Sequence, residues 1–309
     1  MNTSIIVPTY NRPDKLNLCL LSLSKQSVLP DEVLIADDGS GEETLQTIEQ
    51  FKKSKNCRFE LKHIWQEDNG FRKPCIINKT VRDSTGDYLI FIDGDCLAHK
   101  HFIRSHLAYS EPGAILGGKR VDIGKRLSER LLKRHIVLNT LTIELLLDSL
   151  INDSKKVEES LQINNSLLRN LLHRDLIHDD GIWGCNFSIH KELFYAINGC
   201  DEDFLDGSIE DNDLGIRVLN FGGKVKSVRA LAIVFHLWHP SSWTFSDEKY
   251  LFNKRILERR ITLREARCIN GIMKDNTNSL GIHECYPVNT AIPRNIESSS
   301  ASRLTSQET

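Results

Sequence analysis

A chain of 309 residues with 40% hydrophobic and 27% charged side chains has ordinary globular composition, and room for one large domain or two modest ones. Its 40 Lys and Arg against 42 Asp and Glu leave a formal net charge of -2, which excludes the strong basic excess that nucleic-acid binding by phosphate neutralisation requires. The eight cysteines never form a C-x-x-C pair, so they read as buried free thiols of a reducing compartment, and a cytoplasmic location is expected.

In chain order, Ser4-Ile5-Ile6-Val7-Pro8 is a β-branched run closed by proline. It reads as a buried strand, with neither the basic region nor the extended apolar core of a secretory signal. Asn11-Arg12-Pro13 opens a helix, proline being tolerated in a first turn, and Leu16, Leu20 and Leu23 share one face of it. Residues 32–36 form a second buried strand that runs into Asp37-Asp38-Gly39-Ser40, and residues 42–53 a second helix. A third strand is expected over 59–65 and a fourth over 88–92, ending in Asp93-Gly94-Asp95. Strand, helix, strand, helix, strand predicts an α/β fold with a mostly parallel sheet flanked by helices. Ligands of such sheets bind beyond the carboxyl ends of the strands. Pro8-Thr9-Tyr10, Asp37-Asp38 and Asp93-Gly94-Asp95 all stand at such ends, so one crevice can collect them.

The middle of the chain has a different texture. Residues 125–175 carry Leu127, Leu131, Leu138, Leu141 and Leu145 at helical spacing, which predicts two helices broken near Asp153-Ser154. Lys125, Arg126, Arg130, Lys133 and Arg134 flank the apolar face. Two readings stand open: a packed helical insertion, or a helix pair in peripheral contact with a membrane. The α/β texture returns after 180, with a strand over 182–189, a helix from Lys191, and strands over 224–228 and 231–235. From about 289 the chain is rich in Ser and Thr and is expected to be disordered. The longest uncharged stretch beside an apolar run lies between Ala230 and Asp247, and its histidines, serines and Pro240 make it no membrane span.

Three clusters can carry chemistry. In Asp93-Gly94-Asp95 two carboxylates flank a glycine after an apolar strand, which suits a hard divalent cation bridging to a diphosphate. Glu210-Asp211-Asn212-Asp213 precedes a helix expected over 214–220, and reads either as an acidic helix start or as the seat of a general base. The preceding Asp201–Asp206 stretch fails the calcium-loop pattern, because Asp206 stands where glycine is needed. His236 ends an apolar strand and is either structural or a ligand for a manganese-like ion. Gly113 to Lys119 fits a phosphate loop only until Arg120, which replaces the required Ser or Thr. The chain has no G-x-G-x-x-G, G-x-S-x-G or H-E-x-x-H.

In order, Ile5-Ile6-Val7-Pro8-Thr9-Tyr10-Asn11-Arg12, Ile35-Ala36-Asp37-Asp38-Gly39-Ser40 and Asp93-Gly94-Asp95 resemble the nucleotide-binding half of family-2 glycosyltransferases of the GT-A fold. Trp183-Gly184-Cys185-Asn186, the run from Gly207 to Arg217 and His236 resemble their galactosyltransferase-type, chondroitin-polymerase-like branch. The resemblance implies one GT-A catalytic domain over 1–265, with 266–309 as an extension. It further implies a metal-dependent inverting transfer of a hexose or N-acetylhexosamine from a UDP-sugar to a glycan or lipid-linked acceptor, in surface polysaccharide synthesis. Pro8, Thr9, Tyr10, Arg12, Asp38, Arg72 and Asp93 would hold the nucleotide. Asp95, His236 and Asp93 would hold Mn2+ (or Mg2+), Asp211 would be the base with Glu210 beside it, and Trp183 and Asn186 would line the acceptor side. Ile77 stands where similar proteins often carry Arg, and Lys73 is the candidate replacement. Ser208-Ile209 replaces a usual pair of glycines. An inactive nucleotide-sugar-binding scaffold of the same fold predicts a lost ligand or base, yet Asp95, Asp211 and His236 are all present. A sugar nucleotidyltransferase would want a glycine-rich phosphate loop where Pro8-Thr9-Tyr10 stands.

Overall fold

The computed structural model describes residues 1–134, 141–150, 153–175, 181–207, 209–240 and 247–274. The elements in order are β1 (Thr3–Thr9), α1 (Pro13–Leu23), β2 (Glu32–Asp37), α2 (Glu42–Lys53), β3 (Glu60–Trp65), α3 (Lys73–Asp83), β4 (Tyr88–Phe91), β5 (Cys96–Ala98), α4 (Phe102–Tyr109), β6 (Ala114–Gly117) and β7 (Val121–Asp122). There follow α5 (Lys125–Arg134), α6 (Leu141–Ser149), α7 (Ser166–Leu171), β8 (Phe187–His190), α8 (Lys191–Ala196), α9 (Glu210–Asn220), β9 (Lys224–Ser227), β10 (Val234–His236) and α10 (Asp247–Leu263).

The main sheet has the order β3-β2-β1-β4-β8-β6-β9. Only β8 runs antiparallel, against both β4 and β6. Strands β1, β2 and β4 are buried along their whole length, the pattern of sheet strands covered on both faces. On one face Leu16, Leu20 and Leu23 of α1 pack with Ile48 and Phe51 of α2. On the other, Ile76, Ile77 and Val81 of α3 meet Leu193 and Phe194 of α8 and Leu214 and Val218 of α9. The α/β expectation holds.

A second sheet, β5-β10-β7, lies outside the first. The inserted helices cover it: Leu127, Leu131, Leu141 and Leu145 share a buried cluster with Val121, Ile123, Phe235 and Leu237. Each such side chain contributes about 1.5–3 kcal/mol when fully buried, so α5 and the inner face of α6 are part of the core. Leu138 lies outside the described residues, as do the Ser208 position and the stretch from 289 expected to be disordered.

Three sequence expectations are corrected. The insertion carries both α5 and α6 before the break at Asp153-Ser154 and the short α7 after it, rather than one helix on each side. That dipeptide instead closes back on the start of α5: Gly124 N–H donates to Ser154 Oγ at 2.9 Å and Arg126 N–H to Asp153 Oδ2 at 3.1 Å. The strand expected over 182–189 shrinks to β8, because 181–186 form a loop tied down by Asn186. Helix α9 begins at Glu210 rather than 214, with Glu210, Asp211 and Asp213 in the first turn, where the helix dipole favours negative charge. Helices α3 and α4 went unnoticed in the sequence, although Lys73-Pro74 repeats the proline signal that marks α1. Beyond residue 265 the described chain packs against the domain: Ile272 N–H donates to Asn198 O at 2.9 Å, and Arg82 Nη1 to Ile272 O at 2.7 Å.

Candidate active site

The carboxyl ends of β1, β2 and β4 converge. Gly94 N–H donates to Pro8 O at 2.8 Å. A Cβ at Gly94 would stand 3.0 Å from that oxygen and 3.1 Å from Thr9 Oγ1, a tight contact that glycine avoids. Pro8 and Thr9 are buried, whereas Tyr10 is half-exposed and donates from its hydroxyl to Asp68 Oδ2 at 2.8 Å. Asp38 is buried; its Oδ2 accepts from Arg72 N–H at 2.8 Å and its Oδ1 from Gln66 Nε2 at 2.5 Å. Burial nonetheless raises its carboxyl above the ordinary range. Arg12 and Arg72 are the half-buried residues immediately before α1 and α3. The Arg72 Nε is buried with no hydrogen-bond partner.

Lys73, the first residue of α3, stands at the centre. Its Nζ lies 3.3 Å from Asp93 Oδ1 and 4.0 Å from Glu210 Oε1. Burial pushes its pKa down, but the carboxylates of Asp93, Asp211 and Glu210 overcome that and hold it well above the usual lysine value. Burial, and then the charge of Asp211, push Glu210 up to about 8. Burial raises Asp211 as well, against the opposing charge of Lys73. Asp211 Oδ2 accepts from Gly184 N–H at 2.8 Å. A Cβ on Gly184 would fall 2.3 Å from that oxygen, so only glycine lets the loop come this close.

Asp95 belongs to a separate triad. The antiparallel pairing Cys96↔His236 sets Asp95 beside the end of β10, and Leu237 N–H donates to Asp95 O at 2.9 Å. His236 Nε2 is then 3.6 Å from Asp95 Oδ1, and His239 Nε2 is 3.2 Å from Asp95 Oδ2. Among the described residues, Asp95, His236 and His239 form a possible metal cluster, with one donor atom from each within 4.8 Å of the others. Burial by itself raises the Asp95 carboxyl, but contacts from His236 and then His239 hold it well below the usual range. Asp93 is not in this cluster and faces Lys73 instead. His239 escaped the sequence reading, although His236 and His239 in one short post-strand loop were a signal for it.

On the far side of Gly184 the half-buried Trp183 is surrounded by cations: Lys119 Nζ, Lys156 Nζ and Arg120 Cζ lie 4.2, 4.6 and 5.5 Å from its ring centre. Asn186 N–H donates to Trp183 O at 2.9 Å, but its side chain turns inward. It is fully buried, its Nδ2 donates to Lys119 O at 2.7 Å and Ala232 O at 2.8 Å, and its Oδ1 is 3.1 Å from His106 Nε2. Its amide shapes the loop that carries Trp183. Lys119 itself follows β6, so the resemblance to a phosphate loop here is a coincidence of spacing.

Behind the carboxylates, Asp213 and Arg217 of α9 are completely buried, with Arg217 Nε donating to Asp213 Oδ2 at 2.6 Å. Arg260 of α10 joins them, reaching Asp201 Oδ2 at 2.6 Å and Asp213 Oδ1 at 3.4 Å. This network holds the helix whose first turn carries Glu210 and Asp211. No local sequence pattern announces it.

A family model described as "Glycosyl transferase family 2" matches residues 4–194, and one described as "N-terminal domain of galactosyltransferase" matches residues 175–240. The chain is 25% identical over 251 residues to the chondroitin synthase of Escherichia coli, covering 79% of this chain and only 36% of that relative's length. Its fold is similar to that of S. aureus TarS 1-349 in complex with UDP-GlcNAc, with a TM-score of 0.52, 18% identity, and coverage of 85% of this chain and 66% of that fragment. It is also similar to GalNAc-T7 with UDP, GalNAc and Mn2+, with a TM-score of 0.56, 13% identity, and coverage of 84% and 48%.

Proposed function

This chain belongs to glycosyl transferase family 2, related to the polysaccharide synthases, and from that premise we propose that it transfers a hexose or N-acetylhexosamine from a UDP-sugar to a glycan or lipid-linked acceptor, with inversion at the anomeric carbon. The observation that carries this reading is the meeting of two clusters beyond the strand ends: the Asp95–His236–His239 triad, and Lys73 among Asp93, Glu210 and Asp211.

The triad fits a divalent cation. One carboxylate oxygen with two imidazole nitrogens suits manganese better than magnesium, which prefers oxygen ligands and keeps its waters. When bound, such an ion supplies positive charge against that growing on a departing diphosphate. Lys73 adds a fixed ammonium on the same side. Thr9, Tyr10 and Asp38 form the wall for the uracil, with the half-exposed Tyr10 ring free to pack on it and the Asp38 oxygens already oriented by Arg72 and Gln66. Pro8 supplies the strand end against which Gly94 rests, Arg12 and Arg72 flank the nucleotide, and Asp93 serves the ribose side.

Asp211 is the base. The Gly184 N–H fixes one of its oxygens and leaves the other for the acceptor hydroxyl, while burial raises its proton affinity. A hydroxyl deprotonated there attacks opposite the leaving diphosphate, so an α-linked donor yields a β-glycoside. Glu210 beside it balances Lys73.

Calorimetric titration of UDP into the protein, with manganese and then with chelator, tests the reading. Micromolar binding that vanishes with chelator, and weakens at least tenfold in Asp95→Ala and His239→Ala, is expected. Equal binding with and without metal, or none, would overturn it.

A further inference from the structure

Trp183 adjoins Gly184, whose N–H holds the proposed base, and Arg120 over the indole is close enough to act on Asp211 through its charge. Consecutive Cα atoms are only about 3.8 Å apart. The indole does not present a bare apolar face. Lys119, Lys156 and Arg120 all approach within 5.5 Å of its centre, and an aromatic ring holds such cations in place. Two of the three also share Asp122: Arg120 Nε is 2.9 Å from its Oδ1 and Lys156 Nζ 2.9 Å from its Oδ2.

Two of these cations come from different parts of the chain by construction. Lys119 and Arg120 follow β6, whereas Lys156 lies in the inserted segment after α6. The insertion is stitched to β7 by paired backbone bonds, Asp122 N–H to Lys155 O at 3.1 Å and Lys155 N–H to Asp122 O at 2.8 Å. Lys156 then takes a left-handed backbone, φ 56° and ψ 35°. A non-glycine residue there is strained and persists where the surroundings impose it. The strained turn delivers a third positive charge to an indole that already has two.

We propose that this cation-ringed tryptophan is an anion subsite, and that the acceptor carries a carboxylate or phosphate next to the sugar whose hydroxyl is glycosylated. The proposal rests on the transferase reading above. The donor's diphosphate is assigned to Lys73 and the Asp95–His236–His239 triad, which adjoins this cluster, since His236 Nδ1 lies 3.8 Å from Asp122 Oδ1. Charge-assisted contacts from three preorganised cations give a strong preference for an anion over a neutral isostere.

The test uses protein saturated with manganese and UDP. It is titrated with a uronate-terminated oligosaccharide, with the same oligosaccharide after reduction of its carboxyl group to a neutral alcohol, and with a phosphodiester-linked polyol oligomer. At least one anionic ligand should bind tenfold or more tighter than the neutral one, and which of the two does so identifies the source of the charge. The advantage should fall below threefold in Lys119→Gln/Lys156→Gln, be reduced in the surface variant Lys156→Gln, and be retained in Lys156→Arg. UDP affinity should stay within twofold in each. Equal affinity for charged and neutral ligands, no binding of any of the three, or a charge preference that survives the double substitution would overturn the proposal. If UDP affinity dropped in the double variant, the cations would serve the donor; that also overturns the proposal while leaving the transferase reading intact. Wild-type protein that fails to bind UDP would strike the transferase reading itself.

Discussion

Single atoms decide the chemistry at Gly184. Its N–H positions Asp211, and the 2.3 Å that a Cβ would leave to Asp211 Oδ2 makes the position intolerant of any side chain. Gly184→Ala is therefore expected to displace the base and lower turnover by about 100-fold, the cost of roughly an ångström of misplacement, with UDP affinity within twofold of wild type. Asp211→Asn keeps the shape but removes the proton acceptor. It should lose about 10²–10⁴ in transfer rate, followed as UDP release, again with UDP binding kept. A variant with undiminished turnover would take the role of base away from Asp211. Of the residues named from sequence, Asp95, His236, Asp93, Glu210 and Asp211 all come to the crevice, while Asn186 turns into the interior. The family resemblance of Trp183-Gly184-Cys185-Asn186 puts it on the acceptor side instead. Which way an amide turns is settled by the carbonyls of Lys119 and Ala232, far away in sequence.

At the level of elements, α9 carries the proposed base and is held by charges no solvent reaches. Arg217 Nε bonds Asp213, its Nη2 donates to Gly199 O at 2.8 Å, and its Nη1 donates to Ile197 O. Removing the guanidinium strands Asp213 and two carbonyls in the interior. Arg217→Met should cost about 3–5 kcal/mol, the penalty for breaking a buried pair from one side, read as a shifted urea midpoint at unchanged slope. A loss below 1 kcal/mol would mean that Arg260 compensates alone. The start of α9 was placed four residues late from sequence, because acidic residues there read as loop. The dipole of the helix, and the Lys73 charge brought by α3, are what make that first turn acidic.

Across the whole molecule, the insertion between β7 and β8 is both core and surface. Its inner leucines pack on the small sheet, and buried Glu159 receives Arg174 and Arg229 to anchor its far end. Its outer side leaves Ile143, Leu146, Leu147 and Leu150 exposed, the last two at 63% and 79%, in an i, i+3, i+4, i+7 stripe. Exposed Lys125, Arg126 and Lys133 lie on the adjoining α5, which Arg130 links to Glu144 of α6 at 3.8 Å. No helix among the described residues is long and apolar enough to cross a membrane. An apolar stripe beside cations instead suits an anionic lipid surface, and peripheral contact there can be tested directly. The protein should cosediment with vesicles containing an anionic phospholipid, less at high salt, and Leu147→Glu/Leu150→Glu should weaken this at least fivefold. Wild-type protein left in the supernatant would exclude it.

Local chemistry alone determined the parallel sheet, since β-branched runs of five or six residues separated by helical spacing admit few other arrangements, and it placed carboxylates where strands end. Tertiary structure decided everything that depends on two distant segments meeting. It brought His239 to Asp95 through the β5–β10 register, Lys73 to three carboxylates through the packing of α3, and Lys156 to Trp183 through a bridge between the insertion and β7. Those contacts join residues 20 to more than 100 positions apart, by burial and register rather than by spacing, so no local pattern carries them.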